Sequence, residues 1–425
     1  MKKLLCTVLS TVLAMSSAAA LNTSAYADSA NTQQVSYNYW YNSSTGYTDE
    51  NVHTRQMEKL DRGLIAIKTD GGVYLSWRLF DSEDNIFGSA DKNVSFNVYR
   101  DGKKISEVAT KTNYVDSTVG TNYSVAPVIN GVEGEKCDAV TVYNNSYFDI
   151  PLSKPDDETI YDPSGNELAT YSFFPADCST GDVDGDGEYE IIVKWTSSER
   201  DVGSPGDPAY SGTVHLAAYK LDGTKLWKND IELGKNVYSS AHTVQFLVYD
   251  FDGDGKSEVM CQTSLGSKDG QGKYVSNAAQ NDEEIKAITD EEKSTADYRG
   301  YGRITEGKEF LTVFNGETGV AMDTINLPTT RGSENGVDYG DDFGNRSNRF
   351  VSDIAYLDGE KPYAIYLRGY YFGRNGKQRT SIAGISWDGT ALSPTYRFDT
   401  QKGQEGYYDG AYQYVGNGNH NCTVA

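Results

Sequence analysis

The 425-residue chain is poor in cysteine, in basic residues and in long apolar stretches. Its five cysteines include no Cys-x-x-Cys pair, and their spacing favours no particular disulfide. The 38 lysines and arginines are outnumbered by 61 aspartates and glutamates, which gives a formal net charge of −23. A surface this acidic argues against nucleic acids and anionic membranes as partners. Beyond the N-terminal segment, no stretch is long and apolar enough to predict a membrane span.

The N-terminal segment has the pattern of a bacterial-type secretory signal peptide. Lys2 and Lys3 precede an apolar, small-residue stretch over residues 4–20, and Ala25-Tyr26-Ala27 is a small-x-small cleavage site. We therefore predict a signal peptide over residues 1–27 and a secreted, soluble mature protein. Its removal would change the net charge from −23 to −25, because the two lysines are the only charges before Asp28.

Two short stretches share one spacing of acidic residues. DVDGDGEYE, Asp182–Glu190, is called loop 1 below, and DFDGDGKSE, Asp250–Glu258, is called loop 2. This spacing is typical of a calcium loop, in which alternate carboxylates surround a hard cation and the sixth-position glycine permits a sharp turn. The predicted calcium ligands are Asp182, Asp184, Asp186 and Glu190 in loop 1, and Asp250, Asp252, Asp254 and Glu258 in loop 2.

These loops differ from EF-hands in the residues on their C-terminal side. Position twelve is Val193 in loop 1 and Cys261 in loop 2, where an EF-hand has a bidentate glutamate. A β-branched and aromatic run comes after each loop, which predicts a strand rather than a helix. The alternative is an acidic turn without an ion, but carboxylates this crowded repel one another unless a cation neutralises them.

The region before the loops divides into a linker and a small all-β domain. Residues 28–55 are polar and without periodicity, which predicts a linker. Over residues 56–143 short strands alternate with turns, including a hairpin on Asp101-Gly102. The tryptophan of VYLSW, the NVYRDG hairpin and the late tyrosine of YSVAP resemble a fibronectin type III β-sandwich. No pattern here indicates chemistry, so we predict a packing or spacer module.

Over residues 144–425 the chain repeats a strand-loop-strand hairpin followed by a second hairpin. The second hairpins turn on Asp222-Gly223, Asn315-Gly316 and Asp388-Gly389, so each unit predicts four strands. Residues 267–308 interrupt the second unit, and EEIKAITDEEK within them predicts a short, solvated, charged helix. Four-stranded units that repeat radially are typical of the blades of a β-propeller. About three units and a stub predict an incomplete propeller in an all-β protein, with the sequence ending inside a further unit.

An ordered set of motifs extends from about Leu60 to the last residue. It consists of DCSTGDVDGDGEYEIIVKW, LAAYKLDGTKLW, AHTVQFLVYDFDGDGKSEV, EFLTVFNGETG, FGNRSNRF, AYLDG, LRGYY and GNGNHN. The set resembles the secreted rhamnogalacturonan lyases of polysaccharide lyase family eleven. The resemblance implies an eight-bladed, calcium-dependent propeller that cleaves the rhamnose-galacturonate bond of rhamnogalacturonan I by β-elimination. We expect a monomer whose partner is this pectic polysaccharide and whose cofactor is Ca²⁺.

The resemblance also assigns roles to single residues. Asp177 and His420 match positions that in the family help to hold the calcium of the active-site cleft, and the carboxylates of the two loops match structural calcium sites. Arg368 in LRGYY is a candidate to face a substrate carboxylate, with a structural ion pair as the alternative. The catalytic base of the family matches no position in this sequence and is expected beyond Ala425.

Two departures from the family pattern bear on activity. Ala176 stands where family members usually have asparagine, and Thr196 stands where they usually have aspartate. The missing amide and carboxylate are hydrogen-bonding groups worth about 1–3 kcal/mol each when desolvated. The sequence therefore predicts a lyase of reduced or absent activity. The alternatives are a non-catalytic carbohydrate-binding propeller and, from the loops alone, a calcium-stabilised adhesion module.

Overall fold

The structure is a computed structural model that describes residues 32–36, 52–80, 83, 93–109, 111–161, 164–197, 212–234, 237, 243–290, 292, 307–332, 334–341, 344, 346–369 and 379–401. These residues form 24 β-strands with few helical turns, so the prediction of an all-β protein is confirmed. Among their helices, none has the length and apolar character needed to cross a membrane. The predicted signal peptide lies outside the described residues. The chain divides into two units, Met1–Ile150 and Pro151–Ala425.

The first unit consists of short antiparallel strands. Thr32–Ser36 pairs with Val52–Gln56, so the predicted linker contains a strand pairing that its composition did not indicate. The strands are β1 (Thr32–Ser36), β2 (Val52–Gln56), β3 (Ile65–Thr69), β4 (Gly72–Ser76), β5 (Val94–Arg100), β6 (Lys103–Val108), β7 (Asn113–Asp116), β8 (Asn122–Ile129), β9 (Val132–Glu133) and β10 (Val140–Thr141).

Two sheets of the first unit share one hydrophobic core. One sheet has the order β3-β4-β7, and the other has the order β10-β8-β5-β6 with β9 beside β8. Trp77 packs edge-to-face on Phe96 with ring centroids 5.5 Å apart, which joins the two sheets at the centre of the core. Asp101 and Gly102 both have positive φ, 47° and 77°, as a two-residue hairpin turn between β5 and β6 requires. The predicted turn is therefore confirmed.

The second unit contains the predicted repeat. A β11-β12 hairpin precedes three four-stranded antiparallel sheets, each with its strands in chain order. The strands are β11 (Glu158–Tyr161), β12 (Glu167–Tyr171), β13 (Phe173–Gly181), β14 (Glu190–Ser197), β15 (His215–Tyr219), β16 (Ile231–Glu232), β17 (Phe246–Tyr249), β18 (Glu258–Ser264), β19 (Glu309–Phe314), β20 (Ala321–Asn326), β21 (Phe350–Ala355), β22 (Tyr363–Arg368), β23 (Ser381–Trp387) and β24 (Leu392–Asp399).

The three sheets of the second unit pack face to face. Side chains alternate along β18, so Val259 and Cys261 belong to a core shared with the β13–β16 sheet. Met260 points the other way, into a core shared with the β21–β24 sheet. The middle sheet is therefore buried on both faces, which explains why the strand after loop 2 begins with an apolar run.

The segment between β18 and β19 contains the predicted helix, α1 (Glu283–Lys286). Asp282 caps it by accepting a hydrogen bond from the Ile285 amide at 3.0 Å. Ile285 and Ile288 are buried against Phe310 of β19. The prediction of a solvated excursion is therefore wrong for this part of the segment, because its isoleucines pack on the sheet while its charges face outward. Short 3-10 turns occur at Val275–Ala278 and Glu334–Tyr339.

Candidate metal centres

Loop 1 connects β13 to β14 and is closed by its own carboxylates. Asp182 accepts hydrogen bonds from the amides of Gly185 at 2.7 Å and Gly187 at 2.9 Å. Glu190 accepts a hydrogen bond from the Val183 amide at 3.0 Å, so it ties the end of the loop to its start. Gly187, the sixth residue, has a φ of 91°, a conformation that side chains disfavour. The predicted role of this glycine is therefore confirmed.

Loop 2 connects β17 to β18 and repeats this pattern. Asp250 accepts hydrogen bonds from the amides of Gly253 at 2.7 Å and Gly255 at 3.0 Å, and Glu258 accepts one from Phe251 at 2.9 Å. The two loops also touch, because the Ser257 amide of loop 2 donates to the carbonyl of Asp182 in loop 1 at 2.7 Å. Strands β14 and β18 begin at the last residue of each loop, as the sequence predicted.

Each loop gathers carboxylate oxygens at one point. In each group described here, one ligand atom from every residue lies within 4.8 Å of the others. Such groups of oxygen atoms are the ligands that Ca²⁺ prefers. The groups are Asp182, Asp184 and Glu190 in loop 1, and Asp250, Asp252 and Asp254 in loop 2.

Burial makes these carboxylates hard to ionise without a cation. It raises the pKa of Glu258 to about 9 and that of Asp250 to about 6, with the neighbouring aspartates adding to the effect. Burial also raises the pKa of Glu190 to about 7, and it raises those of Asp182 and Asp252. Five buried or half-buried carboxylates in the two loops thus have raised pKa values, and the oxygen atoms that each loop gathers at one point fit a divalent cation.

The loops differ in their cationic neighbours. In loop 1 the Lys220 ammonium lies 2.6 Å from Asp184 Oδ2 and 2.9 Å from Asp186 Oδ2. Its hydrogen bonds lower the pKa of Asp186. Among the residues that the structure describes, no lysine or arginine forms a salt bridge with a loop 2 carboxylate. Lys256, which lies within loop 2, pairs with Glu317 at 2.6 Å.

The third unit closes the corresponding turn without an acidic cluster. Asp358 accepts hydrogen bonds from the amides of Glu360 and Lys361, both at 2.8 Å, and from the Tyr363 hydroxyl at 2.9 Å. Burial acts to raise the pKa of Asp358, but these hydrogen bonds outweigh it and hold the pKa below its usual value. A single carboxylate with several donors is satisfied without an ion, and the sequence of this turn, AYLDGEKPY, lacks the alternating aspartates of loops 1 and 2.

Asp177 lies near the middle of β13, opposite Lys194 of β14. The strand pairing shifts between Pro175 and Asp177, so Ala176 forms a β-bulge directly before this aspartate. The Asp177 side chain is 48% exposed, while the Lys194 side chain is fully buried with its Nζ 3.6 Å from Asp177 Oδ2. Asp177 is therefore accessible to a ligand. Its predicted partner His420 lies outside the described residues, so the cleft calcium pair stays a prediction.

Arg368 does not face a cleft. Its side chain is fully buried at the end of β22, and its guanidinium binds the Glu309 carboxylate through two hydrogen bonds of 2.8 and 2.9 Å. It also donates to the carbonyls of Ser347 and Thr329. The suggestion that Arg368 contacts a substrate carboxylate is therefore corrected in favour of a structural ion pair, because each guanidinium nitrogen already has a protein partner.

Sequence reasoning missed three buried or half-buried charges that shape this unit. Glu309 also binds Arg331 at 2.6 Å. Burial acts to raise the pKa of Glu309, but the two guanidiniums outweigh it and hold that pKa below its usual value. Lys194 donates to the carbonyls of Thr243 and Val244, and burial lowers its pKa. The only sequence signal for Lys220 was its place directly before the hairpin turn that comes after loop 1.

Two sequence families match the chain in succession. The family described as rhamnogalacturonan I lyases, beta-sheet domain, matches residues 55–143. The family described as rhamnogalacturonan lyase family 11, C-terminal domain, matches residues 147–425. Together the two matches cover the small N-terminal β-domain and the repeat, in the order that the motifs predicted.

Characterised relatives are similar over most of the chain. The rhamnogalacturonan endolyase YesW of Bacillus subtilis (strain 168) is 43% identical over 376 residues, which cover 87% of this chain and 53% of YesW. The rhamnogalacturonan exolyase YesX of the same organism is 40% identical over 378 residues, with 87% and 54% covered. The chain thus spans about half the length of the curated relatives it matches.

Solved structures of rhamnogalacturonan lyases are also similar to this chain. The crystal structure of the exotype lyase YesX superimposes with a TM-score of 0.66 at 40% identity, covering 83% of this chain and 53% of that chain. A Bacillus licheniformis rhamnogalacturonan lyase superimposes with a TM-score of 0.66 at 42% identity, covering 85% of this chain and 55% of that chain. These identities are high enough for the likeness to extend beyond general architecture.

Proposed function

The chain belongs to rhamnogalacturonan lyase family 11, and on this basis we propose that it takes part in β-elimination of the rhamnose-galacturonate linkage of rhamnogalacturonan I with the help of Ca²⁺. The observation that carries the proposal is the ordered match of both family regions over residues 55–143 and 147–425. The names of the two relatives, rhamnogalacturonan endolyase and rhamnogalacturonan exolyase, state that they act on this class of pectic polysaccharide. The size distribution of the products distinguishes an endo from an exo mode of action.

The proposed reaction makes clear demands on a site. The C5 proton of a galacturonate is weakly acidic, so its removal needs a base and stabilisation of the negative charge that develops. A bound Ca²⁺ neutralises the galacturonate carboxylate and so lowers the barrier to proton removal. Such a cation also reconciles a protein of net charge −23 with an anionic polymer.

Within the described residues, Asp177 is the candidate to hold the cation of the cleft. Its carboxylate is half-exposed, and the buried Lys194 ammonium beside it limits the directions in which it can turn. The bulge at Ala176 turns the strand at this point, and bulges recur next to active sites because they redirect side chains. In this proposal loops 1 and 2 hold structural calcium ions that fasten the turns of successive sheets.

The remaining parts of the proposal concern architecture and location. The two-sheet core around Trp77 supports a fibronectin type III-like domain, and the stacked four-stranded sheets support blades of a propeller that in the family has eight. The pattern of Lys2, Lys3 and the following apolar stretch supports secretion. We expect the secreted protein to be a monomer, with sedimentation velocity as the test.

A lyase assay tests the function directly. We expect purified protein with Ca²⁺ and rhamnogalacturonan I to release unsaturated sugar, seen as rising ultraviolet absorbance, and we expect excess chelator to stop the release. Homogalacturonan serves as the control, because it offers the same carboxylates without the rhamnose linkage. Retention on immobilised rhamnogalacturonan I without any release would favour the carbohydrate-binding alternative. If the protein is not retained and releases no unsaturated sugar, both the lyase proposal and the carbohydrate-binding alternative are contradicted.

Replacing Ala176 by asparagine, the usual residue of the family at this position, is expected to increase the rate of lyase activity. Ala176→Asn adds a hydrogen-bonding group beside Asp177, and one such desolvated group corresponds to about a tenfold effect. The measurement is initial rate against substrate concentration at saturating Ca²⁺. Ala176→Leu is the matched control, because it adds similar bulk without an amide. Equal rates in the two variants would show that the amide does not matter.

A further inference from the structure

Loop 1 carries a cation of its own. The Lys220 side chain follows β15 and reaches back to the loop, where its Nζ contacts Asp184 and Asp186 and lies 3.9 Å from Glu190 Oε1. The side chain is 34% exposed, so it can also extend into solvent. A lysine ammonium on a flexible four-carbon stem is therefore held at the place where a metal ion would be expected to bind.

Loop 2 has a neutral residue at the position that corresponds to Lys220. In the strand register Ile191 pairs with Tyr219, and Val259 pairs with Phe314. The residues directly after Tyr219 and Phe314 are Lys220 in the first sheet and Asn315 in the second. The Asn315 side chain accepts hydrogen bonds from the amide and hydroxyl of Thr318 in its own turn.

The arrangement of the carboxylates differs between the two loops, as does the residue, Lys220 or Asn315, beside them. The loop 1 group within 4.8 Å contains the first, third and ninth residues of the motif. Lys220 contacts the third residue, Asp184, and also the fifth, Asp186, which is not in the group. The loop 2 group includes the fifth residue, Asp254, together with Asp250 and Asp252. One loop thus has part of its charge neutralised from within the chain, whereas the other presents its aspartates together.

We propose that Lys220 is a tethered counter-ion that neutralises loop 1 and competes with Ca²⁺ there, so that loop 2 is the tighter and loop 1 the weaker of two otherwise matched calcium sites. This inference rests on the proposed calcium binding and deepens it. Binding of Ca²⁺ in loop 1 has to displace the charge-assisted hydrogen bonds of the ammonium, which corresponds to about a ten- to hundredfold loss of affinity. Loop 1 is then filled only at higher Ca²⁺ concentration.

The test is calcium titration calorimetry on the full chain after treatment with chelator. Asp184→Asn and Asp252→Asn identify which heat signal belongs to which loop. We expect Lys220→Met to tighten the loop 1 site by about tenfold or more, because methionine keeps the apolar stem and removes the ammonium. We expect the reciprocal Asn315→Lys to weaken the loop 2 site. Lys256→Met is the matched control, because it removes one positive charge beside both loops without removing a contact to a loop carboxylate.

The outcomes separate this inference from the proposal beneath it. Equal changes in Lys220→Met and Lys256→Met would overturn the inference, and so would loss of the tighter site in Asp184→Asn instead of Asp252→Asn. If wild-type protein binds no Ca²⁺ at either loop, the calcium proposal fails, and the melting temperature in chelator then decides the role of Lys220. A larger drop in melting temperature in Lys220→Met than in Lys256→Met would still establish Lys220 as the counter-ion. Equal drops in melting temperature would refute this role.

Discussion

Replacement of Glu309 by glutamine is expected to lower the free energy of unfolding by about 3–5 kcal/mol. The Glu309 side chain is 8% exposed and forms ion pairs with two guanidiniums, Arg368 at 2.8 Å and Arg331 at 2.6 Å. Glutamine keeps the shape but removes the negative charge that both buried guanidiniums contact. Because Arg368 joins β22 to β19, the loss should fall on the contact between the second and third sheets. Urea denaturation followed by tryptophan fluorescence measures it.

A matched exposed pair provides the control for this prediction. Glu283 contacts Lys286 at 2.9 Å, but its side chain is 85% exposed. Solvent screens such a pair, so Glu283→Gln should cost less than about 1 kcal/mol. Equal losses in the Glu283 and Glu309 variants would contradict the assignment of Glu309 as a buried structural centre. Combining Glu309→Leu with Arg331→Met and Arg368→Met should recover much of the loss, because the three buried charges are then replaced together by apolar side chains.

Without divalent cations, stability is expected to fall as the pH rises from about 5 to about 9. The pKa of Glu258 rises from an ordinary 4.5 to about 9 in the folded protein, and that of Asp250 from 3.8 to about 6. A raised folded-state pKa contributes stability that is complete below the unfolded value and is lost as the pH passes the folded value. Between these limits Glu258 alone gives a loss of about 1.4 kcal/mol per pH unit.

Saturating Ca²⁺ should remove this loss, because a bound cation stabilises the ionised carboxylates. At a thousandfold excess over the dissociation constant, one site adds about 4 kcal/mol. The measurement is the melting temperature against pH, with chelator and with Ca²⁺. Glu258→Gln is the control that should flatten the chelator curve, because its side chain cannot ionise. A chelator curve that rises between pH 5 and pH 9 in wild type, with Glu258→Gln unchanged, would refute the prediction.

The sequence was most informative where structure depends on neighbours in the chain. The carboxylates of each loop lie within nine residues, and the hairpin turns need only Asp-Gly or Asn-Gly. The clustering of the carboxylates and the positions of the turns were therefore predicted from local spacing. The four-stranded units were predicted from the order of these turns and are observed as three separate sheets. The order of motifs along the chain likewise indicated the family.

Local spacing could not indicate which charges meet across the fold. Arg368 and Glu309 are 59 residues apart, and only the packing of two sheets makes them partners. A pattern such as LRGYY shows an arginine at the end of a strand, but it does not show whether that end is covered. The interpretation of Arg368 as a substrate ligand was wrong for this reason.

The two acidic loops illustrate the same division. Their similar sequences determined the cluster of carboxylates, the glycine turn and the strands after them, because all three depend on a few consecutive residues. Only the tertiary structure decided that Lys220, 34 residues after Asp186, reaches loop 1 and that loop 2 has Asn315 at the corresponding position. Burial between stacked sheets also decided the pKa of Glu258, since desolvation depends on everything packed around a carboxylate and not on its neighbours in sequence.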